Sequence, residues 1–204
     1  MAAKIGVLAL QGAFREHINA IKKCGYQAFE IKFAGCLEDI DGLIIPGGES
    51  TTMVKLIEKY NFRPALDRFY KSGRPIFGTC AGLILLAAKV DNLAFCLNYI
   101  DIEVDRNAYG RQSESFESNI KLNSSYFKKP YDFKAVFIRA PKIIKASAKV
   151  QVLASLNSSA VLAMQGSILV CSFHPELTDD LRIHMLFAGM VKKSLNKPNT
   201  DILV

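Results

Sequence analysis

Cys80 stands in Gly78-Thr79-Cys80-Ala81-Gly82, between a short apolar run, Pro75–Phe77, and a longer one that begins at Ala81. Glycines two residues before and two after a nucleophile are what a sharp strand-to-helix turn needs, because side chains there would collide. Such a turn places the sulfur at a helix N-terminus. The free N–H groups and the positive end of the helix dipole favour thiolate there, and the same N–H groups can hold an oxyanion. The competing reading of the pentapeptide is a buried structural cysteine beside a turn. A thiolate nucleophile needs a base, and the base needs an orienting group. The chain has three histidines. His17 and His184 fall within helix-like segments and read as helix-surface residues. His174 falls in Phe173-His174-Pro175-Glu176, directly after the apolar run Ile168–Ser172, where open α/β sheets carry their sites. In an extended segment the i, i+2 spacing puts His174 and Glu176 on one side. Glu176 would then hold the imidazole tautomer. A turn with a solvated His and Glu is the alternative.

Pro46-Gly47-Gly48-Glu49-Ser50-Thr51-Thr52 follows another apolar run and opens a helix-like stretch. Two glycines permit close backbone approach to a ligand, and Ser50, Thr51 and Thr52 are suitable caps. The segment reads as an oxyanion hole or substrate cradle, or as a glycine-rich turn before a capped helix. It is not a phosphate P-loop, since no Gly-Lys-Ser/Thr follows. Arg106 and Arg139 each stand at the end of a strand-like segment. Arginine there can clamp a carboxylate through two parallel hydrogen bonds, although from residue type alone an ordinary surface arginine is the simpler reading.

These residues need elements to hold them. Lys4–Leu10, Gln27–Phe33, Gly42–Ile45 and Pro75–Gly78 read as strands. Helical spacing covers Phe14 to Ile21, Thr51–Tyr60 and Pro64–Ser72, and the apolar run Ala81–Val90 reads as one helix. Further on, Tyr99–Val104, Ala135–Ile138, Gln151–Leu156, Ala160–Met164 and Ile168–Ser172 alternate like strands. A last helix is predicted over Thr178–Leu195, with Asp179 and Asp180 in its first turn and Lys192 and Lys193 in its last, the polarity that suits the helix dipole. Alternation of strand and helix in the first half predicts an α/β fold with parallel strands at its centre. The later strands extend that sheet or form a flanking antiparallel part. One domain over residues 1–195 is expected, with residues 196–204 a frayed tail.

Composition removes several classes. Half of the 204 residues are hydrophobic and 22% are charged, which argues against disorder. The longest apolar run is too short to cross a bilayer, and Gln11, Arg15 and Glu16 interrupt any signal-peptide pattern. Five cysteines, with no C-x-x-C pair, point away from a zinc site and towards a reducing, cytoplasmic compartment. The formal charge is +7, and residues 121–149 carry all of it, with eight basic groups against one acidic. That stretch fits a nucleic-acid site, a contact with an acidic partner, or a solvated surface.

Taken together, IGVLALQGAFREH, DGLIIPGGESTTM, FGTCAGLILLA, VDRNAYGRQSESF, FIRAP and CSFHPELT, in that order and nearly end to end, resemble the class I, triad-type glutamine amidotransferases, and more closely the glutaminase subunits of pyridoxal 5′-phosphate synthase. The resemblance implies a three-layer, flavodoxin-like sandwich with a mostly parallel sheet and a smaller antiparallel part. It implies Cys80 as nucleophile with His174 and Glu176 as partners, and L-glutamine bound by Gly47, Gly48, Glu49, Arg106, Ile138 and Arg139. It further implies no cofactor and no metal, with pyridoxal phosphate itself not a cofactor, and a synthase subunit that receives the ammonia and switches on a weak glutaminase. The chain departs from the family at Leu97-Asn98, where a leucine–glycine pair is common, and its loop from Val90 to Leu97 looks short. Two other readings remain at this point: a triad amidotransferase serving a different synthase, and a nucleic-acid-binding module using residues 121–149. That module is disfavoured because the aromatics of the stretch form no stacking motif and Phe133 and Phe137 suit a strand core.

Overall fold

The computed structural model describes residues 3–91, 95–106, 115–127 and 132–196. Strand β1 (Lys4–Leu8), helix α1 (Phe14–Lys23), β2 (Gln27–Ile31), β3 (Gly42–Ile45), α2 (Ser50–Lys59), α3 (Arg63–Lys71), β4 (Ile76–Thr79) and α4 (Ala81–Leu86) make up the first half. The second half holds β5 (Ala87–Val90), β6 (Ile100–Asp105), β7 (Ser115–Lys121), β8 (Asp132–Ile138), β9 (Lys142–Ala146), β10 (Gln151–Leu156), β11 (Ser159–Gln165), β12 (Ile168–Cys171) and α5 (Arg182–Leu195).

One seven-stranded sheet, in the order β10-β11-β12-β4-β3-β1-β2, forms the middle layer. Its strands are parallel from β2 through β12, and β11 and β10 extend it antiparallel. The pleat divides the core in two. Leu43, Ile45 and Ile76 pack with Met53, Ile57, Leu66 and Phe69 of α2 and α3 on one face. Ile44 and Phe77 point the other way, to Ile18 and Ile21 of α1 and Ile183 and Phe187 of α5. Period-two alternation of apolar side chains thus gives each sheet face its own helical layer. Two smaller pieces sit beside the sandwich: a sheet in the order β5-β6-β9 and the antiparallel hairpin β7-β8. Among the described residues no helix is long and apolar enough to cross a membrane.

Several sequence expectations need correction. Ala81–Val90 is not one helix. It turns to strand after Leu86, because the N–H groups of Leu97 and Tyr99 take the carbonyls of Leu85 and Leu86, and β5 pairs with β6. An apolar run alone cannot tell a buried helix from a buried strand. At the family departure, Asn98 adopts φ 59°, the left-handed region that glycine favours and asparagine tolerates, so the exchange keeps the turn. Residues 92–94 of the adjoining loop lie outside the described residues, as do most of the Arg106–Gln112 motif, Lys128 and Lys129, and residues 197–204. The last helix starts at Arg182 instead of Thr178, since the Asp180 carboxylate accepts the Arg182 backbone N–H and guanidinium and holds a turn ahead of the helix. Strands β7 and β9 and a 3-10 turn at Ala34–Asp39 carry no periodic signal strong enough to predict. The basic stretch is also interrupted in space: Lys134 pairs with Glu117 and Lys145 with Glu103.

Candidate active site

Cys80 sits between β4 and α4 with φ 48° and ψ −102°, a conformation strained for any residue with a side chain. Its N–H donates to Cys171 O on the neighbouring strand β12, which pins the elbow to the sheet. Gly82 is needed on the far side, because a Cβ there would lie 2.0 Å from Ile45 O. The Cys80 side chain is buried, with Sγ 3.8 Å from the Ile138 carbonyl oxygen.

His174 leaves the end of β12, and its backbone N–H donates to Val136 O of β8. Residues 174–176 are not extended as predicted. Pro175 opens a 3-10 turn, and within it His174 Nδ1 meets Glu176 Oε1 at 2.7 Å. The turn brings the two side chains together as the extended spacing would have done, but it buries Glu176 beneath the imidazole. Burial pulls the His174 pKa down, yet hydrogen bonding to Cys80 and Glu176 outweighs this and raises it to about 10. Burial pushes Glu176 up, but the attraction of His17 and the bond with His174 outweigh that, and its carboxyl stays below the usual range.

Gly47, at the end of β3, comes so close to this pair that a Cβ on it would meet His174 Cε1 at 2.4 Å and Cys80 Cβ at 3.4 Å. The cap of α2 is Glu49 itself, not Ser50, Thr51 or Thr52 as the sequence suggests. Its carboxylate accepts the N–H groups of Thr51 and Thr52, and its own N–H donates to Gln11 Oε1. Burial alone would raise the Glu49 pKa, but these bonds lower it to about 2. Gly48, Glu49, Cys80, Arg106, Ile138, Arg139 and His174 line one cavity of about 260 Å³, together with Thr51 and Ile84. The fold therefore gathers all of the residues singled out from the sequence, with Gly47 against the imidazole and Glu176 behind it. Arg106 Nη1 contacts Thr51 Oγ1 at 3.4 Å, while its Nε is buried with no partner among the described residues. Arg139 is exposed at φ 45° just past β8. A larger, more apolar cavity of about 700 Å³ lies at the other end of the sheet, beside Pro75 and Ser167, and includes none of these residues.

The surface assignment of His17 and His184 is overturned. Both are fully buried, because α1 and α5 turn these faces inward onto Phe77. His17 contacts Glu176 Oε2 at 3.3 Å, Thr79 Oγ1 at 3.2 Å and His184 Nε2 at 3.0 Å. A signal for this was present: His17 shares the helical stripe of Phe14, Ile18 and Ile21, and His184 that of Phe187, Ala188 and Val191.

The model of the SNO glutamine amidotransferase family matches residues 7–193. A pyridoxal 5′-phosphate synthase subunit PdxT from Anoxybacillus flavithermus is 52% identical over 192 residues, covering 94% of this chain and 98% of the relative. The subunit of the same name from Thermotoga petrophila is 47% identical over 190 residues, 93% and 100% of the two chains. A solved structure of a glutamine amidotransferase superposes with TM-score 0.84 at 42% identity, covering 92% of this chain and 98% of that one. PurLQS from Thermotoga maritima, at 16% identity with TM-score 0.69, covering 96% and 98%, shares the fold.

Proposed function

The chain belongs to the SNO glutamine amidotransferase family and is an enzyme of that type; from this premise we propose that it hydrolyses L-glutamine to L-glutamate and ammonia through Cys80, His174 and Glu176, and passes the ammonia to a synthase subunit that makes pyridoxal 5′-phosphate. The observation that carries the reading is the strained Cys80 on its elbow, paired with an imidazole that a buried carboxylate orients.

The Cys80 thiolate attacks the side-chain carboxamide carbon. Backbone N–H groups of the elbow and of the Gly47-Gly48 loop receive the oxyanion. The His174 imidazolium gives its proton to the leaving ammonia, and a glutamyl thioester remains on Cys80. Neutral His174 then takes a proton from water, hydroxide adds to the thioester, and glutamate departs as the thiolate reforms. Glu176 accepts the Nδ1–H throughout and keeps Nε2 turned to the sulfur. The unpartnered Nε–H of Arg106 suits the α-carboxylate of the substrate, and Arg139 stands at the same cavity. Gly48, Glu49 and Ile138 complete its wall.

The synthase partner follows from the names of the relatives, and the reading includes low activity in the isolated chain and activation by that partner. A cytoplasmic location belongs to it too, supported by five cysteines without a disulfide. The deciding experiment is ammonia release from glutamine, with and without a pyridoxal 5′-phosphate synthase subunit, for wild type and Cys80→Ala. Release that rises with the partner and vanishes in Cys80→Ala supports the reading. Unchanged release in Cys80→Ala rejects the nucleophile, and full activity without the partner rejects the coupling.

A further inference from the structure

Two buried histidines have no part in the mechanism above, although one of them touches its carboxylate. Glu176 divides its oxygens: Oε1 faces His174 Nδ1 at 2.7 Å, and Oε2 faces His17 Nε2 at 3.3 Å. On the other edge of the His17 ring, Nδ1 lies 3.0 Å from His184 Nε2. All of these side chains except that of His174 are closed to solvent, so no water competes for the positions.

Proton bookkeeping fixes the arrangement. An ionised carboxylate only accepts hydrogen bonds, so His174 must carry its proton on Nδ1. His17 Nε2 lies 3.2 Å from Thr79 Oγ1 and 3.3 Å from Glu176 Oε2, which has no hydrogen-bond partner among the described residues, so a proton on Nε2 is the arrangement that sets no lone pair against the carboxylate. With Nε2 protonated, a neutral His17 presents a lone pair at Nδ1, and His184 must donate to it from its own Nε2. His184 Nδ1 is then a bare acceptor, in keeping with its lack of a partner among the described residues. The opposite tautomers would set the His17 Nε2 lone pair against the carboxylate and leave an orphaned N–H on His184. Burial pulls both rings below the usual histidine range, His184 to about 3, which favours their neutral forms.

We propose that His17 is a positioning residue of the glutaminase: it sets Nε2–H against Glu176 Oε2, an atom with no other partner among the described residues, holds the carboxylate so that Oε1 serves His174 alone, and is itself kept in that tautomer by His184. The proposal rests on the triad reading given above. His17 acts only through Glu176, and it leaves the glutamine cavity untouched because it lies behind the imidazole.

The chain has three histidines, so 15N-labelled imidazole spectra of the full chain resolve three rings. The expected pattern is Nε2–H at His17 and at His184, both unchanged from pH 6 to pH 8. An Nδ1–H tautomer or an imidazolium at His17 overturns the proposal, and this measurement needs no variant to fold. In the complex with a synthase subunit, His17→Phe is expected to lower kcat about 10- to 100-fold, the loss of one hydrogen bond to a charged group, with KM within about twofold of wild type. His17→Gln, whose amide N–H can reach Oε2, should recover most of the loss. In a Glu176→Gln background His17→Phe should cost nothing more, because the two act as one unit. A folded His17→Phe with wild-type kcat, or one that raises KM alone, rejects the role. Cys80→Ala separates the two levels: its retained activity would sink the triad reading, whereas an inactive Cys80→Ala beside a fully active His17→Phe sinks only this inference.

Discussion

Behind the His174 imidazole, His17, Thr79, Glu176 and His184 contact one another in a space closed to solvent. In front of it, Arg106 Nε has no partner among the described residues and Arg139 is exposed at the mouth of a cavity. The rear region lies between α1, α5 and the sheet, where packing decides every contact within the chain. The front region is built from the ends of β3, β6 and β8 and the entry to α2, where Arg106 and Arg139 line a cavity. The contrast separates two tasks. Groups proposed to control proton position are held by packing before any ligand arrives, and so require little reorganisation during reaction. Groups that recognise the ligand remain unpaired, so that a carboxylate can complete them.

This division can be broken at either end. The largest effect belongs to His174→Asn, which removes the group proposed as acid and base of both half-reactions. Turnover in the presence of the synthase should fall by about 10³-fold or more, with the protein still folded by circular dichroism. Next comes Glu176→Gln. Its amide N–H must face one of the two ring nitrogens that flank the carboxylate, so kcat should drop about 10²- to 10³-fold with little change in KM. A KM effect equal to the kcat effect would place Glu176 in the front region and spoil the comparison.

Arg106→Gln tests the front region and should behave in the opposite way. KM for glutamine should rise about 10- to 100-fold, the value of one hydrogen bond to a charged group, while kcat at saturation stays near wild type. The smallest effect is on stability. Glu49 caps α2, and Glu49→Gln should cost about 1 kcal/mol, or about 2–4 °C in Tm at pH 7. The folded pKa of about 2 lies below the ordinary 4.5, so the ionised cap contributes stability above pH 4.5 and loses it as pH falls towards 2. Melting curves of wild type and variant should therefore converge across that window. A gap that stays constant to pH 2 would show that charge at Glu49 does not stabilise the cap.

Legibility in the sequence followed the range of the interactions. The Cys80 elbow was readable because its glycine spacing is local: Gly82 clears Ile45 O two residues past the nucleophile. His174 and Glu176 were readable as neighbours, although the 3-10 turn that joins them was not. The apolar run after Cys80 misled at Leu86, since its fate depends on N–H groups from residues 97–99. Cap preference favours the hydroxyls of Ser50, Thr51 and Thr52 over Glu49, because it gives a residue type and not the rotamer that reaches Thr51 and Thr52. The concentration of charge in residues 121–149 pointed to a patch that space breaks up, with Lys134 and Lys145 facing acidic side chains.

The residues by themselves determined the strained turn at Cys80, His174 beside Glu176, the glycine-rich loop and the alternation that makes a parallel sheet, all set by spacing along one short stretch of chain. Only the tertiary structure decided which of those stretches share a cavity and what lies behind them. His17 and His184 are 167 residues apart in the chain and 3.0 Å apart in space. Their burial comes from two amphipathic helices turning their apolar stripes onto one face of the sheet. Hydrophobic packing chose that contact, and the tautomers proposed for the three histidines rest on it.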